Sequence, residues 1–262
     1  MLKVVLSIAG SDSSGGAGIQ ADLKTFSALG VFGATAITAL TAQNTLGVRS
    51  VADLDAQFVS AQIQAVMDDL PVAAAKSGML SRTEIIEVVA AAVRERSIPN
   101  LVVDPVMVAA SGDLLLTPGA VAALREHMFP LALLVTPNLR ETEILLGREE
   151  ITGRDAMRRA ARELVHIGAR AALVTGGALK GDALDVFFDG HEIHEYSMPR
   201  RGARAHGAGC TLSAAIAARL ALGDPLADAI GAAKHFVTRA IAQSPELGRG
   251  ARLLNHLASD KT

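Results

Sequence analysis

Apolar residues run almost unbroken from Lys3 to Gly10, as in a strand covered on both faces, and stop at Ser11-Asp12-Ser13-Ser14-Gly15-Gly16-Ala17-Gly18. Ile19, Leu23, Phe26 and Leu29 then recur at helical spacing, so the chain opens as strand, loop, helix. The same alternation predicts strands over Ala34 to Ala42, Val72 to Ser77, Leu101 to Asp104, Leu131 to Thr136 and Ala171 to Thr175. Between them, helices are predicted around Phe58, Ile63, Val66 and Leu70, and over Thr83 to Arg96, Pro118 to Met128, Asn138 to Leu146 and Asp155 to Ile167. Leu184 to Phe188 and Ile193 to Ser197 flank Asp189-Gly190, a hairpin signal that adds antiparallel strands near one edge. The remainder reads as helical. This rhythm predicts an α/β fold with a mostly parallel sheet and helices on both faces. No linker or repeat interrupts it, so residues 1–262 are read as a single domain.

Ligands of such sheets bind at the carboxyl ends of the strands. The polar and glycine-rich segments fall there: Gly10 to Gly18, Gln43-Asn44, Lys76 to Met79, Asp104 to Met107, Thr136-Pro137-Asn138, Thr175-Gly176-Gly177 and the loop before Cys210. In the last of these, His206-Gly207-Ala208-Gly209-Cys210-Thr211 runs into an alanine-rich helical stretch. A helix start has unpaired backbone N–H groups and a positive dipole end, and glycines let an anion approach. Cys210 at that mouth reads as a base or nucleophile with an eased proton, or as a small packing residue.

Composition narrows the partners. A formal net charge of -2 leaves no electrostatic footprint for nucleic acid or a membrane surface, and scarce aromatics limit base stacking. The single cysteine excludes an intrachain disulfide framework and a multi-cysteine zinc site, and fits a reducing cytoplasm. The apolar run after Lys3 is short for a signal peptide, and no stretch approaches a membrane span. A soluble enzyme of small metabolites is expected.

Gly16-Ala17-Gly18-Ile19-Gln20-Ala21 satisfies G-x-G-x-x-A, but the next strand ends in Gln43-Asn44 rather than the ribose-binding acid of a dinucleotide site. No P-loop motif occurs. Asn138 and Glu141 read as a capping box. Asp104 and Glu141 together could hold magnesium through hard oxygen ligands. The Gln43 amide suits a ring nitrogen beside an exocyclic amine, Asp22 can accept from a ring substituent, and Met79 and Val106 can supply apolar walls.

Ala9 to Thr25, Thr41 to Thr45, Lys76 to Leu80, Asp104 to Met107, Thr136 to Asn138 and His206 to Ala215, taken in order, resemble the motifs of bacterial hydroxymethylpyrimidine/phosphomethylpyrimidine kinases of the ribokinase-like superfamily. The resemblance implies a three-layer α/β/α fold, a homodimer, and ATP- and magnesium-dependent phosphorylation, with a monovalent cation as a further candidate. The implied reactions convert 4-amino-5-hydroxymethyl-2-methylpyrimidine to its monophosphate and then to its diphosphate. It places the pyrimidine on Gln43, Asp22, Gly10, Met79 and Val106, catalysis on Cys210, and metal on Asp104 and Glu141. Phosphate or nucleotide falls to Gly207, Ala208, Gly209, Thr211, Asn138, Thr175 and Gly176.

Two departures stand out. Thr175-Gly176-Gly177-Ala178 occupies the place of a lysine-glycine-glycine-histidine run, with Lys180 and Arg204 as candidates to restore the charge, and Ala208 replaces a threonine. A pyridoxal kinase of the same fold is the alternative activity. A binding protein without turnover ranks below both.

Overall fold

The computed structural model describes residues 2–108, 116–117, 119–148, 150–200 and 205–258. Strands β1 (Val4–Asp12), β2 (Phe32–Asn44), β3 (Gly47–Asp53), β4 (Val72–Ser77), β5 (Leu101–Val103), β6 (Leu134–Val135), β7 (Ala172–Thr175), β8 (Ala183–Phe188) and β9 (Ile193–Met198) form one sheet. Its order is β3-β2-β1-β4-β5-β6-β7-β8-β9. Pairing is parallel from β2 across to β7 and antiparallel at β2-β3, β7-β8 and β8-β9. Each parallel step needs a crossover, and the helices that supply it cover both faces.

One layer contains α2 (Ala56–Asp69), α3 (Thr83–Glu95), α4 (Ala120–Ala123), α5 (Leu139–Leu146) and α6 (Gly153–His166). The other contains α1 (Gly18–Ala28), α7 (Ala208–Leu222) and α8 (Leu226–Ala242). The alternation of β1 divides the core. Val4, Leu6 and Ile8 pack with Ile63, Ile85 and Val89 on the first face, whereas Val5 packs with Phe26, Ile216 and Ile230 on the second. Helix α7 is buried nearly all round, and its run of alanines lets α1 and α8 approach closely. The result is the expected three-layer α/β/α arrangement.

The edge strand β3 was not predicted. Its residues Ser50 to Asp53 are exposed, so no buried face imprinted a period on the sequence. The helix expected over Pro118 to Met128 is only Ala120–Ala123, continued by a π-helical turn at Leu124–Met128 and a 3-10 turn at Phe129–Leu131. Pro118 lies outside the described residues. Pro130 sits inside that last turn, so Leu131 is not the strand start the sequence suggested, and β6 begins at Leu134. The end of the chain is not all helical either: β10 (Ala205–His206) pairs in parallel with β11 (Arg252–Leu253), returning the tail to the loop before α7.

Candidate active site

The loop after β1 is held by one carboxylate. Asp12 accepts from the Ser14 N–H and hydroxyl at 2.8 Å, from Gly16 N–H at 3.1 Å and from Ala17 N–H at 2.8 Å. His206 Nε2 lies 2.8 Å from Asp12 Oδ2, and these bonds outweigh burial to hold the carboxyl down at about 2. The loop is thereby pressed onto the start of α7. Gly207 has φ +86°, and a Cβ there would fall 1.8 Å from the Gly16 carbonyl oxygen, so glycine is required on both counts.

Helix α7 makes its first internal bond from Thr211 N–H to the Gly207 carbonyl. The N–H groups of Ala208, Gly209 and Cys210 precede it and have no backbone partner among the described residues. Open space surrounds Gly209. This revises the expectation for Thr211: its N–H is used, and its buried hydroxyl lies 3.0 Å from His256 Nε2 on the tail. Thr211 therefore backs the anion loop instead of lining it. The Cys210 N–H, one residue earlier, has no backbone partner among the described residues.

Cys210 stands among charges. Lys76 is fully enclosed, its Nζ 3.1 Å from Asp22 Oδ2 and 3.9 Å from Asp104 Oδ2. Burial opposes the Lys76 charge, but the Asp22 and Asp104 carboxylates outweigh it and raise its pKa. Burial pushes the thiol up to about 12, with Asp104 and Asp22 adding to the rise, against Lys76 and the Gly18 backbone. The eased proton expected from the helix terminus is thus corrected: desolvation and two carboxylates overcome the dipole, and the free protein carries a thiol at neutral pH.

Asp22 also departs from expectation. It is neither a solvated charge nor a ring contact, because Ser7 Oγ donates to it at 2.5 Å and Lys76 takes both oxygens. The sequence signal for Lys76 was its place on the rim, but nothing in one-dimensional spacing showed that it would be the buried partner of Asp22.

Asp104 and Glu141 come together. Ser213 Oγ donates to Asp104 at 3.0 Å, and burial raises its pKa against the pull of Lys76. Burial, then the charge of Asp104, lifts Glu141 to about 8. Asn138 and Glu141 form the expected capping box, Oδ1 accepting from Glu141 N–H at 3.0 Å and Glu141 Oε2 from Asn138 N–H at 2.9 Å. The end of the Asn138 amide with donors to offer an anion is therefore Nδ2. No group of three or more His, Cys, Asp or Glu suited to a metal occurs among the described residues. Two adjacent buried carboxylates that repel each other nevertheless fit a hard divalent cation that keeps several waters.

Gly10 and Met79 are buried neighbours, a Cβ on Gly10 lying 3.4 Å from Met79 Sδ, and Val106 is half-buried on the loop after β5. Gln43, at the end of β2, has Nε2 3.1 Å from His206 Nε2 and Oε1 3.2 Å from Thr41 Oγ1. At the end of β7, Thr175 N–H donates to the Pro137 carbonyl at 2.9 Å. Gly176 N–H donates to Leu184 O at 2.9 Å and Asp185 Oδ1 at 3.1 Å. Both donors are committed inside the fold, so the place expected for Thr175 and Gly176 at the nucleotide cannot rest on their N–H groups. Lys180 is exposed and Arg204 lies outside the described residues, while Arg200 donates to the carbonyls of Gly177, Leu179 and Gly181 at 2.7, 2.5 and 3.0 Å.

The phosphomethylpyrimidine kinase family model matches residues 12–255, from the Asp12 loop to the tail beside α7. The chain belongs to this family. A hydroxymethylpyrimidine/phosphomethylpyrimidine kinase of Rhizobium meliloti is 55% identical over 98% of this chain and 97% of its own length. Among solved structures, a phosphomethylpyrimidine kinase from Clostridium difficile superposes with a TM-score of 0.81 at 44% identity, covering 91% of this chain and 99% of that one. A Bacillus subtilis pyridoxal kinase in an ADP complex reaches 0.91 at 40% identity, covering 98% of each chain. The start of α7, the Asp104–Glu141 carboxylate pair and the Gln43 amide lie within the stretch that this family model matches.

Proposed function

We propose that this chain transfers the γ-phosphoryl group of ATP to 4-amino-5-hydroxymethyl-2-methylpyrimidine, and then a second phosphoryl group to the monophosphate, in thiamine biosynthesis. The observation that carries the reading is the meeting at Cys210 of the start of α7, Lys76 and Asp104, with Glu141 beside Asp104. Family membership and the ADP complex of the pyridoxal kinase support the adenine nucleotide as donor.

The Ala208, Gly209 and Cys210 N–H groups face the oxygens of the transferring group and stabilise the charge that gathers on them. Gln43 holds the ring, with Met79 and Val106 as apolar walls. Asp104 and Glu141 would hold magnesium, which when bound supplies positive charge for the phosphates and offsets the two carboxylates. Cys210 is the group placed to receive the proton of the attacking hydroxymethyl oxygen, and it can do so only as the thiolate. Its own proton must first leave to solvent, a loss that Lys76 favours and that burial, Asp104 and Asp22 oppose.

The two transfers separate these roles. A neutral alcohol must lose a proton, whereas a phosphate monoester is already anionic, so only the first gains from a base, by about two to four orders of magnitude. Single-turnover rates for the alcohol and the monophosphate, on wild type and Cys210→Ala, are expected to fall mainly for the alcohol. Equal proportional losses remove Cys210 from the role of base.

A pyridoxal kinase is the second reading, favoured by the superposition on the Bacillus subtilis enzyme. A coupled assay with each ring decides between them, and background turnover with both would mean a binding protein. No helix among the described residues is long and apolar enough to cross a membrane, and the lone cysteine supports the cytoplasm as the place of action. The continuous sheet supports reading residues 1–262 as one ribokinase-like domain. A homodimer is supported by Leu40, Val51 and Phe58, large apolar side chains exposed on β2, β3 and α2, and light scattering measures it directly.

A further inference from the structure

Three polar side chains meet where β2 ends against the loop before α7, and their hydrogens can be assigned by elimination. Asp12 is ionised and accepts from His206 Nε2 at 2.8 Å, so Nε2 carries a proton whether the ring is neutral or charged. That nitrogen also lies 3.1 Å from the nearest atom of the Gln43 amide. An amide NH2 facing it would set donor against donor, so the amide presents its carbonyl oxygen to His206, whose one Nε2 hydrogen is then shared between Asp12 at 2.8 Å and Gln43 at 3.1 Å. The far end agrees. Thr41 Oγ1 donates its one hydrogen to the Ser11 carbonyl at 2.9 Å, which leaves it as an acceptor toward the Gln43 atom 3.2 Å away. An NH2 group belongs there. The two ends demand the same orientation, opposite to the one that heavy-atom positions alone suggest for an amide.

We propose that His206, held by Asp12, is a positioning residue that locks the Gln43 amide with its oxygen toward His206 and its nitrogen toward Thr41. This rests on the reading of Gln43 as the ring contact. The lock uses one lone pair of Oε1 and one hydrogen of Nε2. One acceptor and one donor remain side by side in the amide plane, complementary to a ring nitrogen flanked by an amino group. A ring lacking the amine leaves the Oε1 acceptor unmatched, so the locked amide discriminates by a penalty as well as by a bond. An unlocked amide can rotate to suit either ring.

The backbone reinforces the position. Ser13 Oγ donates to the Gln43 carbonyl at 2.7 Å and is 2.8 Å from the Gln43 N–H, tying the strand end to the loop that Asp12 organises. Gly16 is required beside the imidazole, since a Cβ there would lie 2.6 Å from His206 Cδ2.

The test compares kcat/KM for 4-amino-5-hydroxymethyl-2-methylpyrimidine with that for pyridoxal, in wild type, His206→Phe, His206→Gln and Thr41→Val. The aminopyrimidine preference is expected to fall about tenfold in His206→Phe, through KM and not kcat, and to fall in Thr41→Val as well. His206→Gln, which keeps an N–H donor, is expected to retain most of it. An unchanged preference in both His206→Phe and Thr41→Val overturns the proposal. Nitrogen NMR of histidine-labelled wild type provides a readout independent of any variant's folding, with the proton expected on Nε2 of His206. A bare Nε2 overturns the proposal. Wild type with no aminopyrimidine preference would remove the substrate reading instead, while the NMR result still decides the amide orientation.

Discussion

Lys76 Nζ lies 3.1 Å from Asp22 Oδ2, and neither side chain has any solvent exposure. Two enclosed charges stabilise each other at a large desolvation cost, so removing one strands the other. Lys76→Met is expected to cost about 3–5 kcal/mol of folding stability, with Asp22→Asn added to it recovering part. Urea unfolding of the single and double variants measures this. A Lys76→Met protein as stable as wild type would show that Asp22 finds another partner or a proton.

Gly207 and Gly209 sit two residues apart at the start of α7 with opposite surroundings. A Cβ on Gly207 meets the Gly16 carbonyl oxygen at 1.8 Å in a left-handed backbone, while nothing lies within 4 Å of one on Gly209. Gly207→Ala is expected to lose at least about 1–2 kcal/mol and most activity, because the loops on both sides must part. Gly209→Ala is expected to keep the fold and to raise KM for ATP, where a methyl group intrudes on the anion. Thermal unfolding and initial rates separate the two effects.

Arg200 ties together the carbonyls of Gly177, Leu179 and Gly181, beside a loop where Thr175 and Ala178 replace a lysine and a histidine of the resembled family. Its guanidinium is exposed, so the contacts are worth about 1 kcal/mol. Arg200→Ala is expected to raise KM for ATP about fivefold and leave unfolding nearly unchanged. Thr175→Lys is expected to raise kcat more in the Arg200→Ala background than in wild type, where Arg200 already carries a positive charge. Equal effects in both backgrounds would separate Arg200 from the charge of the nucleotide loop.

His256 is buried against Thr211, and burial, then Lys24, lowers its pKa to about 4. The unfolded chain takes up this proton at about pH 6.5 while the folded one refuses it until about pH 4, so the folded state loses stability as pH falls through that window. About 2 kcal/mol is expected to disappear between pH 7 and pH 5. Denaturant midpoints should show a flatter dependence in His256→Gln. Equal slopes in the two proteins would mean that the tail leaves α7 before the imidazole titrates.

The sequence alone was enough for the parallel sheet, the hairpin at one edge, the capping box at Asn138 and the glycine-to-helix junction before Cys210, because each is written in local period or local turn chemistry. Strand β3 left no such trace, since neither face of an exposed edge selects for a repeating apolar residue. The state of the site groups was decided by tertiary structure. Asp22 looks like an ordinary helical carboxylate until Lys76, 54 residues later, is buried against it. Cys210 looks like an eased thiol until burial, and then Asp104 and Asp22, raise its pKa. Gln43 acquires a fixed orientation only when His206, 163 residues away, arrives with a proton held by Asp12. Backbone preference depends on neighbours in the chain, which a sequence displays, whereas protonation and hydrogen-bond direction depend on neighbours in space, which only the packed fold brings together.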